Sequence, residues 1–242
     1  MHHVLPPCER SPGHLPLKRE KAAVFGGNAP RVVLPELLDE LPQDSLAARA
    51  SRRDLRMINL LLGSTAWFKK TLLELYRPGE YVLEIGAGTG ELGRALHAVV
   101  PNVAGLDLCG RPPDWPKPTA WFQANVLEFA EWAAYPVVIS NLFFHHFDRV
   151  GLAQLGAKLN EHARVIVASD PLRGRRTGRL FSLLCPLIRA HPVTRYDGRV
   201  SIAAGFRQEE LPRLLQLDPS VWSWRVQENW LCSCRLVAVR RA

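Results

Sequence analysis

The sequence predicts an open α/β fold: a mostly parallel, seven-stranded sheet with helices on both faces, closed at one end by an antiparallel hairpin. Three observations predict it. From about residue 80 onward, apolar runs of strand length alternate with segments of helical spacing, a pattern that builds parallel strands joined by right-handed crossovers. The run YVLEI at 81–85 is apolar toward both faces, as a central strand must be, and leads straight into a glycine-rich turn. Finally, VWSWRVQEN (221–229) and WLCSCRLVAV (230–239) follow one another so closely that they must pair antiparallel.

The elements can be justified in chain order. Residues 1–44 read as a flexible or surface-laid arm, because Pro6, Pro7, Pro12, Gly13, Pro16, Gly26 and Gly27 prevent sustained periodicity. One domain is expected over 45–242, since 242 residues suffice for one sizeable α/β unit and not for two ordinary ones. Leu46, Leu55, Ile58, Leu61 and Leu62 recur at helical spacing, and a second helix can start at Ser64 with Trp67, Phe68, Leu72 and Leu75 on its apolar side. After the first strand come helix 91–100, strand 102–107, a proline-rich connection, strand 120–126, a short helical turn at 127–132 and strand 136–140. Asp148 can cap a helix to about Asn160, and strand 163–169 follows. A helical segment then carries Leu180, Leu183, Leu184 and Ile188, and EELPRLLQL (209–217) reads as the last helix before the hairpin.

Composition narrows the function classes. No stretch approaches the roughly 18 consecutive apolar residues of a membrane span, and the opening residues lack the apolar centre of a signal peptide, so the chain is expected to be cytoplasmic. The five cysteines (Cys8, Cys109, Cys185, Cys232, Cys234) are odd in number and show no C-x-x-C spacing, which suggests neither a disulfide framework nor a metal site. Cys232 and Cys234 are two apart in an expected strand and should share a packing face. The formal charge of +8 could assist nucleic-acid binding, but the basic residues are scattered in ones and twos without interleaved aromatics. That pattern reads as solvated surface rather than a nucleic-acid track. Nothing in it indicates an oligomeric state.

The strongest motif is VLEIGAGTGEL at 82–92, where a strand runs into Gly86, Ala87, Gly88 and Gly90 and then into a helix. Glycines there allow a sharp turn and close approach of a ligand to free helix-terminal N–H groups. A dinucleotide fingerprint would place a third spaced glycine at 91, where Glu91 stands. Glu91 and Glu84 would repel a pyrophosphate and favour a cationic ligand. Asp107, ending the next strand and followed by Leu108, can accept from both hydroxyls of a ribose. The alternative is a glycine loop that merely turns the chain.

With these residues in place, the segment resembles the first two motifs of class I S-adenosylmethionine-dependent methyltransferases, a Rossmann-like family whose order of elements, terminal hairpin included, matches residues 45 to 240. The resemblance implies S-adenosylmethionine as cofactor and S-adenosylhomocysteine (SAH) as product. It implies Glu84, Gly86, Ala87, Gly88 and Gly90 around the methionine part, Asp107 on the ribose with Leu108 beside it, and Asn125 with Val126 near the adenine. For Asn125 a strand-end cap is the competing role.

The expected acceptor side lies at the carboxyl edge of the later strands. In SNLFFHHF (140–147) Asn141 could line the methionine end, Phe143 and Phe144 could wall the acceptor pocket, and His145 or His146 could act as a general base. Capping and solvent contact are the bland roles of adjacent histidines at an exposed helix start. Asp170, His191, Arg195, Tyr196 and Asp197 form a second cluster, read as part of a substrate-covering insertion near 171–206, with His191 as a further candidate base; a surface Arg–Asp network is the alternative. No metal site is expected. In detail the chain looks like small bacterial methyltransferases of phenolic or polyketide-like metabolites, which implies a hydroxyl or carbon acceptor in secondary metabolism. A fainter resemblance to RNA adenine dimethyltransferases meets Phe143 where those enzymes carry proline. A binding protein that keeps the fold without turnover is the reading from another class.

Overall fold

The computed structural model describes residues 30–241, so the arm expected over 1–44 lies outside the described residues as far as position 29. The strands are β1 (Val82–Ile85), β2 (Val103–Asp107), β3 (Trp121–Gln123), β4 (Val137–Asn141), β5 (Val165–Pro171), β6 (Trp222–Glu228) and β7 (Ser233–Arg240). They form one seven-stranded sheet in the order β3-β2-β1-β4-β5-β7-β6. The pairs from β3 to β5 are parallel, and β7 runs antiparallel to both its neighbours, β5 and β6. The expected fold class is therefore the observed one. Because the strand order reverses between β1 and β4, a crevice opens at their carboxyl ends, where ligands of such sheets bind.

Alternate residues along the central strands feed two cores. Leu83, Ile85, Leu106, Val138 and Ile166 point to one face, where they meet Leu152, Leu155 and Leu159 of α5 (Arg149–His162). Val82, Val103, Val137, Ile139 and Val165 point to the other, against Phe68 and Leu72 of α3 (Ser64–Leu75) and Leu92 and Leu96 of α4 (Glu91–Leu96). Period-two alternation with apolar residues on both sides explains why these strands read as continuous apolar runs.

The remaining helices are α1 (Leu37–Glu40), α2 (Leu46–Leu61), α6 (Arg175–Leu187), α7 (Pro192–Ala204) and α8 (Glu210–Leu214). Capping chemistry sets several boundaries. Ser45 accepts from the N–H of Ala48 at the start of α2, Asp148 accepts from Gly151 N–H at the start of α5, and Pro192 opens α7. Gly63, at φ 62°, turns the chain between α2 and α3.

Several expectations are corrected. The third strand stops at Gln123, and residues 125–128 form a turn. Helix α4 ends at Leu96 and continues only as turns. The apolar spacing of α2 marks its inner side only in part: Leu55 and Ile58 are half-buried, Leu46 and Leu61 are exposed, and the fully buried residues are Ala48, Ser51 and Asp54. The reason is the partner, because α2 packs on the polar start of α7, where the Asp54 carboxylate accepts from His191 N–H and the Thr194 hydroxyl. Residues 192–204 are a helix rather than an irregular insertion. Cys232 sits in the hairpin turn at φ 68°, so it does not share a strand face with buried Cys234. No helix among the described residues is long and apolar enough to cross a membrane.

Candidate functional site

Strand β1 delivers the glycine turn to the crevice. The N–H groups of Gly86 and Ala87 both donate to the carbonyl of Leu106 on β2, which pins the turn to the neighbouring strand. Gly86, Gly88 and Gly90 all have left-handed backbones, at φ 66°, 56° and 72°. Their surroundings differ. A side chain at Gly86 would run into Phe143, with Cδ2 at 2.1 Å from the added Cβ, and one at Gly90 would meet Trp115 at 2.7 Å. At Gly88 there is no atom within 4 Å, so this glycine faces open space in the crevice.

Asp107 stands opposite. One carboxylate oxygen accepts from Gly88 N–H at 2.7 Å and the other from Cys109 N–H at 2.8 Å, so the aspartate ties the turn to the end of β2 while its remaining lone pairs face outward. Leu108, next to it, is 69 % exposed.

The two glutamates do not supply the charge expected of them. Glu84 points under α4, where it accepts from Gly93 N–H at 2.9 Å, fully buried. Burial pushes its carboxyl up to about 8, helped by the nearby charge of Asp107, so it is neutral at pH 7 and braces the turn from behind. Glu91 turns toward α2, accepting from Arg56 at 3.2 Å and from the Thr89 hydroxyl at 3.3 Å. Of these acids, Asp107 is the one hydrogen-bonded to Gly88 at the crevice.

Asn141, at the end of β4, donates its amide to Asn59 of α2 at 3.2 Å, while its Oδ1 is buried without a hydrogen-bond partner among the described residues. Together with Arg56–Glu91, this contact lays α2 across the crevice. Arg56 and Asn59 carry no recognisable motif, and their role was hidden because only the packing of α2 reveals it. Leu142 follows at φ 56°, an uncommon conformation for leucine that turns the chain out of β4. Phe143 lies half-buried over Gly86 and packs edge-on against Phe147. Phe144 is fully buried in the core under α5, so it does not wall a pocket.

His145 is also corrected: it is 3 % exposed rather than at an exposed helix start. Its Nδ1 lies 2.8 Å from Asp170 of β5 and its Nε2 3.3 Å from Glu36, just ahead of α1. Burial opposes a charged ring, yet hydrogen bonds to the two carboxylates outweigh it and raise the imidazole to about 9; the same contacts hold Glu36 down to about 2 against its own burial. With both ring nitrogens engaged, His145 is not a free base. Arg31 completes the junction by donating to the carbonyls of Ala204 and His145 while lying over the Phe206 ring at 4.6 Å. Asp197 of α7 accepts from the N–H groups of Leu37 and Leu38 and so caps α1. A cavity of about 40 Å³, room for a few waters, lies among Glu36, Leu38, Leu55, Ile58, Phe181 and Ser201.

The other expected site residues are dispersed. His191 caps α7 through its own Nδ1, and its N–H is held by Asp54. Arg195 and Tyr196 lie on the exposed side of α7, Arg195 donating to the carbonyl of Ala190. Asn125 Oδ1 accepts from Leu127 N–H, which is the capping role, and Val126 is buried in the core. Glu36 and Arg31 were missed because they belong to a stretch read only as an arm.

No protein-family model matches the sequence, and comparison with curated proteins finds no match. Solved structures do match in fold. The plantazolicin methyltransferase BpumL, in complex with SAH, superposes with a TM-score of 0.64 at 11% identity, over 84% of this chain and 93% of that one. The methyltransferase domain of bacterial-CtHen1-C gives 0.56 at 15% identity, over 76% and 100%. The pyocyanin biosynthetic protein PhzM gives 0.54 at 18% identity, over 84% of this chain and 60% of PhzM. The chain thus has the fold of class I methyltransferases.

Proposed function

We propose that the protein is a methyltransferase that takes its methyl group from S-adenosylmethionine and gives it to a small-molecule acceptor, a phenolic or polyketide-like hydroxyl or carbon of secondary metabolism. The observation that carries this reading is the cradle at the switch point, with Gly88 facing open space across from Asp107. The donor set fits the cofactor. Asp107 has lone pairs left for the two ribose hydroxyls, exposed Leu108 offers apolar surface for a base, and the unpartnered Oδ1 of Asn141 suits an ammonium group. BpumL was solved with SAH, and its name and that of PhzM refer to natural products, which supports a small acceptor.

When bound, S-adenosylmethionine supplies a methyl group on a positively charged sulfur that leaves readily. The protein's own task is alignment and exclusion of water. Asp107 and the glycine turn orient the cofactor, while Arg56 and Asn59 hold α2 over the crevice. Both ring nitrogens of His145 are engaged by carboxylates, and an acidic acceptor such as a phenol needs little help from a base.

The test is transfer of labelled methyl from S-adenosylmethionine to a panel of phenols, with short RNA as the competing acceptor. Label in a small-molecule product and formation of SAH are expected. Label in RNA would overturn the acceptor class, and absence of SAH with every acceptor would overturn the activity.

A further inference from the structure

Outside the crevice, the observations converge where the segment ahead of α1 meets the end of β4. Glu36 brings a carboxylate against two adjacent imidazoles whose rings lie 4.4 Å apart. One ligand atom from each of Glu36, His145 and His146 lies within 4.8 Å of the other two. We propose that these three residues bind a divalent transition-metal ion of the zinc type, with Asp170 as the outer partner of His145.

Spacing supports the assignment first. His145 Nε2 and Glu36 Oε1 are 3.3 Å apart. Two ligands at the usual zinc distances of about 2.0–2.1 Å subtend a tetrahedral edge of about 3.4 Å, so this pair already has the separation of ligands to one ion. His146 must close by up to about 1.4 Å from the 4.8 Å limit of the cluster, which a partly exposed ring can do by rotation.

Orientation supports it next. Asp170 Oδ1 lies 2.8 Å from His145 Nδ1 and also accepts from the His145 backbone N–H. That contact holds the proton on Nδ1, so it is Nε2 that can give up its proton to solvent and turn its lone pair to an ion, the carboxylate–histidine–metal arrangement. An ion entering there displaces the Nε2 proton and takes over the pairing with Glu36.

Donor chemistry selects the class. Two imidazoles and one carboxylate suit zinc, cobalt or iron and disfavour magnesium and calcium, which prefer oxygen throughout. Three protein ligands leave a position open. Asp39, whose carboxylate is 3.5 Å from His146 Nδ1, is exposed to solvent and borders the trio on its outer side. The competing account is that the trio is only an ion-paired clamp.

The experiment uses the full chain, stripped with chelator and titrated with cobalt(II), read by the visible absorption of a four-coordinate ion and by metal content after dialysis. One tightly held equivalent is expected, displaced by zinc. His146→Ala, at a partly exposed position that should leave folding intact, and Glu36→Gln should each weaken binding at least tenfold, and Asp170→Asn about 10–100-fold. No retained cobalt in the wild-type chain would overturn the proposal. So would an unchanged spectrum in His146→Ala, since such binding would belong elsewhere, for example to His2 and His3. These readouts do not depend on methyl transfer.

Discussion

Asp107 ties the glycine turn to β2, and under the proposed function its carboxylate meets the ribose. Asp107→Ala removes charge-assisted hydrogen bonds worth about 1.5–3 kcal/mol and should weaken S-adenosylmethionine binding roughly ten- to hundredfold by calorimetry. The glycines separate ligand from fold. Gly88→Ala meets no neighbour and strains only the backbone at φ 56°, about 1 kcal/mol, so it should fold and yet lose binding because its methyl enters the cradle. Gly86→Ala places a methyl 2.1 Å from Phe143 and should destabilise the protein by about 2 kcal/mol or more in denaturant unfolding. At this scale the sequence was informative wherever a residue type answers a backbone need, as at Gly86 and Gly88, or ends a strand, as at Asp107. It misled where burial decides, because neither the neutral state of Glu84 nor the confinement of His145 can be read from neighbours in the chain.

Helix α4 rests on the buried carboxyl of Glu84, which gives the turn a pH dependence. Its folded value of about 8 lies above the ordinary 4.5, so the folded chain holds a proton that the unfolded chain releases. The stability from this group is full below about 4.5 and is lost as pH rises through about 8. Thermal midpoints of the wild type should therefore fall from pH 6 to 9 more steeply than those of Glu84→Gln, which keeps the acceptor and carries no charge; parallel curves would refute this. Between α5 and α8 the contact is close enough that a Cβ at Gly156 would lie 2.1 Å from the Leu215 carbonyl oxygen. Gly156→Ala should cost about 2 kcal/mol in denaturant unfolding, and an unchanged midpoint would contradict that packing. Strands and the capped helix α5 were legible because alternation and Asp148 are local signals. The buried side of α2 was not, since its partner is the polar start of α7, more than a hundred residues later.

Across the whole molecule, the mostly parallel sheet and the terminal hairpin followed from alternation and from the short link between the last two strands, whereas the strand order is read from the structure. The junction ahead of α1 did not follow from such local signals, since it joins Arg31 and Glu36 to α7 and to the end of β4, contacts far apart in the chain. At the crevice, Arg56 pairs with Glu91 and so helps hold α2 in place. The central claim is that this crevice binds S-adenosylmethionine, and calorimetric titration with S-adenosylmethionine, SAH and NADH, repeated on Asp107→Ala, tests it most directly. The account predicts micromolar binding of the first two, weakened roughly ten- to hundredfold in the variant, and no binding of NADH; no binding by the wild type, or a preference for NADH, would contradict it.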